Sequence, residues 1–368
     1  MILLKKLWET VTIRDSESYL DIEYTDWNRK TGGNNMKLKT LKKCCAVVTL
    51  AAMSMGMLAG CGGQSDAETK KIGIVKLVTH TAADTASEGF KQALADNGFV
   101  EGENIEFMEQ NGQNEQSNLQ SIAQNFINEE VDLICAVSTS TAQVMAAATS
   151  DIPIVGTAIT NYEEAKLVKS DDAPGYNVTG TSDQNPIERQ GELIVELVPD
   201  VKSVGIVYNA SEVNSQLQVA HMRAYLATKD VAVVESAFSD INNMQQATEA
   251  LVGKVEAIFL PTDNTVASAI PQVVTIAEQA KLPVICGADT MVEAGGTATY
   301  GIDYYNLGYK TGEMAVKILN GEAEPSTMPI EYANEDELTL VINKEEADLI
   351  GLEIPQELLD SAKIVETK

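Results

Sequence analysis

Residues 131–159 read VDLICAVSTSTAQVMAAATSDIPIVGTAI. The first seven form an almost unbroken apolar run rich in β-formers, the pattern of a strand covered on both faces. Four hydroxyls then open an alanine-rich helical segment, Asp151 and Pro153 end it, and IPIVGTAI repeats the apolar run. Strand, helix and strand at this spacing make a βαβ unit with a parallel sheet. The same pattern extends upstream through IGIVKL, the helical ADTASEGFKQALADNG with Gly98 as its stop, NIEFMEQN and QSNLQSIAQNFINEE. After a polar patch at 170–177 it starts afresh with IERQGELIVELVPD, SVGIVYN, a helix through Val219, VAVVESAF, a helix from Met244, AIFLPTDN, a helix through Ile276 and LPVICGA.

Two successive units of this kind predict an α/β protein with two lobes, each a parallel sheet flanked by helices. NVTGTSDQ and TATYGIDYYN read as extended junctions, and the tail adds a helix, NLGYKTGEMAVKILNG, and the extended ELTLVINK. A tail that returns across the junction gives three hinge crossovers. On that basis lobe I is expected at 71–181 plus 303–336, and lobe II at 182–302 plus 337–368.

The 368 residues suffice for two domains, and their formal charge of −28 sets nucleic acid aside as a partner, since phosphate must be neutralised by Lys and Arg. Before the first strand stands MKLKTLKKCCAVVTLAAMSMGMLAGC. Lys37, Lys39, Lys42 and Lys43 precede an apolar run from Cys44 to Leu58 that is too short for a permanent span. Small residues then lead into Cys61. Residues 36–60 are therefore expected to be a lipoprotein signal peptide, with the lipid on Cys61 and a flexible tether over 61–70. An ordinary signal peptide with an incidental cysteine is the alternative. The chain is expected to be exported and held by acyl chains on the outer face of the cytoplasmic membrane. Residues 1–35 show no periodicity and read as a mis-called extension ahead of a start at Met36. Cys135 and Cys286 sit in apolar runs as buried free thiols, a disulfide being the other possibility.

In open parallel sheets ligands meet the carboxyl ends of strands. Those ends carry His80; Ser138, Thr139, Ser140 and Thr141; Thr157, Thr160, Asn161 and Tyr162; and Asp183 in the first junction. In the second unit they carry Asn209, Ser211, Glu212, Asp263, Asn264 and Asp289, with Asp303 in the second junction. Hydroxyls and free N–H groups at a helix start suit a carboxylate, and an acid opposite them suits an ammonium group, so a small zwitterion fits. Asp263 or Asp303 is equally read as a turn former or an interlobe tether. The chain has two histidines, His80 and His221, and lacks a nucleophile elbow, a P-loop and a metal-ligand spacing. No cofactor or metal is expected. A hydrolase using His80 and the Ser138–Thr141 cluster is a rival, and a surface receptor feeding a sensor kinase or chemoreceptor is another. A two-lobed transcription factor would need a helix-turn-helix where the signal segment stands.

The blocks THTAADTASEGFKQALADNGFVEGENI, STAQVMAAATSDIPIVGTAIT, NVTGTSD, YNASEVNS, PTDNTV and YGIDYYNLGYKTGEMAVKILNG resemble the substrate-binding lipoproteins of ABC importers, in the group associated with tryptophan, phenylalanine or tyrosine uptake. The likeness runs from about Lys71 to Val365. It implies a periplasmic-binding-protein-like fold with a hinged cleft, an amino-acid solute, and delivery to an ABC permease and its ATPase; a monomer is expected. It also implies that Thr139, Ser140 and Thr141 hold the α-carboxylate while Asn209, Asp263 and Asn264 close over the solute. One departure is Asn161-Tyr162 where the family pattern implies Asp-Pro, which removes a carboxylate there and offers the Tyr162 ring to the solute.

Overall fold

The computed structural model describes residues 69–333 and 337–367. The signal segment, Cys61 and residues 1–35 lie outside the described residues. The chain first builds β1 (Lys70–Lys76), α1 (Thr81–Asp96), β2 (Ile105–Asn111), α2 (Gln116–Asn128), β3 (Leu133–Val137), α3 (Thr139–Ala148), β4 (Ile154–Ile159) and β5 (Val178–Ser182). It crosses over into α4 (Ile187–Leu197), β6 (Ser203–Asn209), α5 (Val213–Ala227), β7 (Ala232–Phe238), α6 (Met244–Glu249), β8 (Ala257–Leu260), α7 (Asn264–Ser268), α8 (Ile270–Ala280), β9 (Val284–Cys286), α9 (Asp289–Glu293) and β10 (Ala298–Gly301). A second crossover leads to α10 (Tyr304–Leu319) and β11 (Glu331–Tyr332). A third leads to β12 (Thr339–Asn343), α11 (Lys344–Ile350), α12 (Gln356–Ser361) and β13 (Lys363–Val365).

Lobe I carries a six-stranded sheet in the order β11-β5-β4-β3-β1-β2, and lobe II a seven-stranded one in the order β13-β12-β10-β9-β8-β6-β7. All pairings in lobe I are parallel. In lobe II β12 runs antiparallel to β10, a departure from the wholly parallel sheet expected. Its cause is topological: β12 enters from the other lobe rather than through a crossover helix, so the handedness that makes βαβ units parallel does not constrain it.

Each sheet is covered on both faces, and successive strand residues divide between the two. Ile72 and Ile74 face α1 and α10 with Phe90, Leu94 and Ala315, while Val75 faces the opposite layer with Leu119, Phe126 and Met145. Each such side chain contributes about 1.5–3 kcal/mol on burial. α10 lies against α1 so closely that a Cβ on Gly308 would stand 1.9 Å from the Ala86 carbonyl oxygen. One apolar cluster crosses between the lobes, joining Ala82 and Ala86 of α1 to Val266, Ala288 and Met291. Cys135 and Cys286 lie buried and free, in different sheets. Burial raises both thiol pKa values, which keeps them protonated at neutral pH.

Candidate functional site

The strand tips of the two sheets face one another. In lobe I, sheet order sets the tips of β5, β4, β3 and β1 side by side, bringing Asp183, Thr160, Ser138 and His80 to one edge. Among the described residues, three side-chain hydrogen-bonding contacts span the gap. His80 Nε2 lies 3.1 Å from Asn264 Oδ1, the Thr265 hydroxyl lies 3.2 Å from Asn114 Oδ1, and Gln218 Nε2 lies 3.4 Å from the Thr160 hydroxyl.

Asp183 follows β5 and is buried. The Thr160 hydroxyl donates to its Oδ1 at 3.1 Å and the Tyr304 hydroxyl to its Oδ2 at 2.9 Å. Burial raises its pKa; the groups that oppose this are Tyr304, Thr160 and its own amide, and no cation is among them. A buried carboxylate normally has a charged partner, and among the described residues Asp183 has none. Tyr304 begins α10 immediately after the second crossover, so this pair joins lobe I to the hinge.

His80 is the N-cap of α1, and its Nδ1 accepts the Ala83 N–H at 3.4 Å. The ring proton therefore sits on Nε2 and is donated to Asn264. Asn264 Nδ2 donates to Glu212 Oε2 at 2.6 Å, which fixes the orientation of its amide.

The remaining lobe II acids hold the wall together. Glu212 also accepts the Asn264 and Thr265 N–H groups and the Thr265 hydroxyl. Asp263 caps α7 through Val266 N–H and accepts Asn209 N–H and the Ser215 hydroxyl. Asn209 gives its side-chain N–H to Thr265 and accepts Ser211 N–H. Asn209 and Asp263 thus shape the loop, whereas Asn264 is the member of that trio bonded across the gap. Asp263 is pushed well up by burial first and by Glu212 second.

At the start of α3 the four hydroxyls differ. Thr141 points its hydroxyl back to the Val137 and Ser138 carbonyls, and Ser138 stands 3.4 Å from it. Thr139 Oγ1 is buried with no partner, and Ser140 is half-buried. Ser138 has φ +96°, a strained value for a residue with a Cβ, of the kind that gathers at ligand sites.

Other candidates sit elsewhere. Tyr162 is fully buried in the lobe I core, its hydroxyl 2.9 Å from the Gly156 carbonyl and 3.0 Å from that of Thr181. A Cβ on Gly156 or Gly180 would stand within 2.6 Å of that hydroxyl, so two facing glycines make its room. The Tyr162 ring is therefore a core ring, which corrects the expectation that it meets a solute. Thr157 is buried 3.4 Å from Thr181, whose hydroxyl meets Thr311 of α10 at 2.7 Å. Asn161 accepts Glu164 N–H in a turn. Ser211 is exposed. Asp303 is exposed and caps α10 through Asn306, and Asp289 accepts Thr290 N–H. In both places the next residue, Tyr304 or Thr290, is the one on the interlobe cavity.

That cavity is lined by His80, Ala158 and Asp183 on one side and by Asn264, Thr290 and Met291 on the other. Its volume is about 20 Å³, room for a water rather than for a metabolite. Among the described residues no group of three or more His, Cys, Asp or Glu could hold a metal, and no helix is long and apolar enough to cross a membrane.

The fold is that of a clamp: two hinged α/β lobes whose strand tips face one another across a small cavity. The profile of the ABC transporter substrate binding protein family matches residues 71–366, and the chain belongs to that family. It is 39% identical over 338 residues to a tyrosine-binding protein of Clostridioides difficile, covering 89% of this chain and 96% of that one. A Streptococcus pneumoniae ABC domain in complex with L-Trp matches with 36% identity and a TM-score of 0.78, over 81% of this chain and 100% of that one. The ligand-free, open form of a substrate-binding protein with adhesive properties from Clostridium difficile matches with 44% identity and a TM-score of 0.62, over 82% of this chain and 100% of that one. The chain is thus a binding protein rather than an enzyme, working with a transporter outside the cytoplasm.

Proposed function

We propose that the solute is an amino acid, its ammonium group on Asp183 and its carboxylate at the start of α3, delivered to an ABC permease and its ATPase by a monomer held at the membrane through a lipid on Cys61. The observation that carries this is Asp183, a buried carboxylate on the cavity with no cationic partner among the described residues. An ammonium group supplies that partner. Support for the carboxylate end comes from sheet order: β3 lies between β4 and β1, whose tips line the cavity, and Thr139 Oγ1 there lacks a partner. Ala82, Ala158, Ala267, Ala288 and Met291 give the side chain an apolar bed. The relatives that bind tyrosine and tryptophan favour an aromatic one.

The clamp is a closed one. The relative nearer in sequence but open is the poorer structural match, as a change of lobe angle would produce. The cavity is too small to admit an amino acid, so entry requires the lobes to part, and binding shifts the population back towards closure. The test is native mass spectrometry of the protein from Cys61 onward with thermal melts against the twenty amino acids. The expected result is one bound equivalent and a raised melting temperature for one or a few of them; no shift with any would overturn the assignment.

Closure also makes binding sensitive to pH. Burial lowers the His80 pKa from its ordinary 6.5, outweighing Asn264, Glu212 and Asp84, which raise it, while Lys76 lowers it further. The other acids on the cavity, Asp183 and Asp263, are both raised by burial. With the lobes apart His80 is solvated and titrates near its ordinary value. The open form then takes up a proton before the closed form does, so acid favours opening. Affinity is expected to fall by up to about tenfold per pH unit below 6.5. In His80→Gln the fall should shrink to what protonation of Asp183 causes. Isothermal titration between pH 5 and 8 checks it, and a flat wild-type profile would remove His80 from the closing gap.

A further inference from the structure

The contact between His80 and Asn264 has a chemical consequence beyond holding the lobes together. Both side chains are locked from behind. Ala83 N–H occupies His80 Nδ1, so Nε2 presents a donor; Glu212 occupies Asn264 Nδ2, so Oδ1 presents an acceptor. Glu212 is in turn fixed by three further donors. When the lobes part, neither group can turn away, and the pair offers one donor and one acceptor to whatever enters between them. Both residues line the same cavity as Asp183.

We infer that His80 and Asn264 determine specificity, by reading a hydroxyl at the far end of the solute side chain. A hydroxyl accepts one hydrogen bond and donates another, so it replaces the contact between the pair without leaving either partner unpaired. A methyl group or a bare ring edge leaves both half-buried polar groups unsatisfied in the closed gap, a penalty that makes hydroxyl-reading sites discriminate. A carboxylate brings no donor and meets Glu212, and an ammonium group brings no acceptor for the Nε2 proton. The same cavity is lined by Ala82, Ala158, Ala267, Ala288 and Met291, which suits a hydroxyl carried on an apolar ring.

The inference rests on the proposed ammonium site at Asp183, and the experiment separates the two. L-tyrosine and L-phenylalanine are titrated into the wild type and His80→Leu, with thermal melts confirming that both are folded. The wild type is expected to bind tyrosine at least tenfold more tightly than phenylalanine. His80→Leu should lose tyrosine affinity while keeping that for phenylalanine within about threefold, so that the preference disappears. Should the variant fold poorly, the wild-type ratio of the two affinities decides by itself. Equal wild-type affinities, or a preference for phenylalanine, would overturn the inference while leaving the amino-acid assignment standing. Equal losses for both ligands in the variant would reduce His80 to a structural cap. No binding of either would remove the ammonium site and the hydroxyl reader together.

Discussion

Asp183→Asn is expected to lower solute affinity a hundredfold or more while raising the melting temperature of the solute-free protein. The two effects share one cause. The carboxylate is buried with two hydroxyl donors and, among the described residues, no opposing charge, and its raised pKa registers the cost of keeping it ionised. Asparagine has the same shape and no charge, so the folded protein loses that cost. The Thr160 hydroxyl can still donate to the amide oxygen, and the Tyr304 hydroxyl can accept from the amide nitrogen. Binding moves the other way. Removing one member of a buried ion pair costs about 3–5 kcal/mol, since the remaining charge is left uncompensated, and each 1.4 kcal/mol is tenfold in Kd. Opposite signs for stability and affinity distinguish a binding carboxylate from a structural one, whose removal would lower both. Paired melting curves and calorimetric titrations measure them, and unchanged affinity would refute the ammonium assignment.

The order of strands and helices was legible because each strand is a dense Val, Ile, Leu and Ala run and each break carries a residue with a physical reason to break. Gly98 takes φ +88° just after α1, and Pro153 stands immediately ahead of β4. The antiparallel entry of β12 was not legible, since strand direction in a sheet leaves no trace in a five-residue apolar run. Site residues were harder for a chemical reason. Asp, Asn, Ser and Thr at strand tips serve equally as helix caps and as ligand contacts. Asp303 and Asn161 cap or turn and Asp263 caps α7 while also lining the cavity, whereas Asp183, with similar surroundings in sequence, faces the cavity with hydroxyl donors and, among the described residues, no cationic partner. Tyr304 was not legible beside Asp303 because an aromatic at the first turn of an amphipathic helix has the pattern of a core residue. Gln218 was missed because it lies inside α5, and only the approach of the lobes brings it to Thr160. Tyr162 looked available because it follows a strand, and nothing local says that Gly156 and Gly180 open a slot for it in the core.

Gly308→Val is expected to destabilise the fold by about 3 kcal/mol or more, through the seam where α10 meets α1. Both helices approach backbone to backbone there. A Cβ on Gly308 would lie 1.9 Å from the Ala86 carbonyl oxygen, one on Gly89 would lie 2.1 Å from that of Tyr305, and one on Gly312 would lie 2.6 Å from Ala93 Cβ. The atoms in the way are mostly main chain, so no side chain can swing aside and the helices must separate. Separation would loosen the layer in which Phe90, Leu94, Ala315 and Val316 cover one face of the lobe I sheet. It would also shift Tyr304, at the first turn of α10, from its hydrogen bond to Asp183, so solute affinity should fall along with stability. For a domain of this size the loss corresponds to a melting-temperature drop of roughly 5 °C or more. Gly308→Ala adds one carbon at the same point and should show the same two effects at smaller size. The return of α10 to lobe I is what makes the second crossover a hinge strand rather than a loop. A denaturation midpoint unchanged in Gly308→Val would mean that the two helices are not in contact, and the ammonium site built on Tyr304 would lose its support.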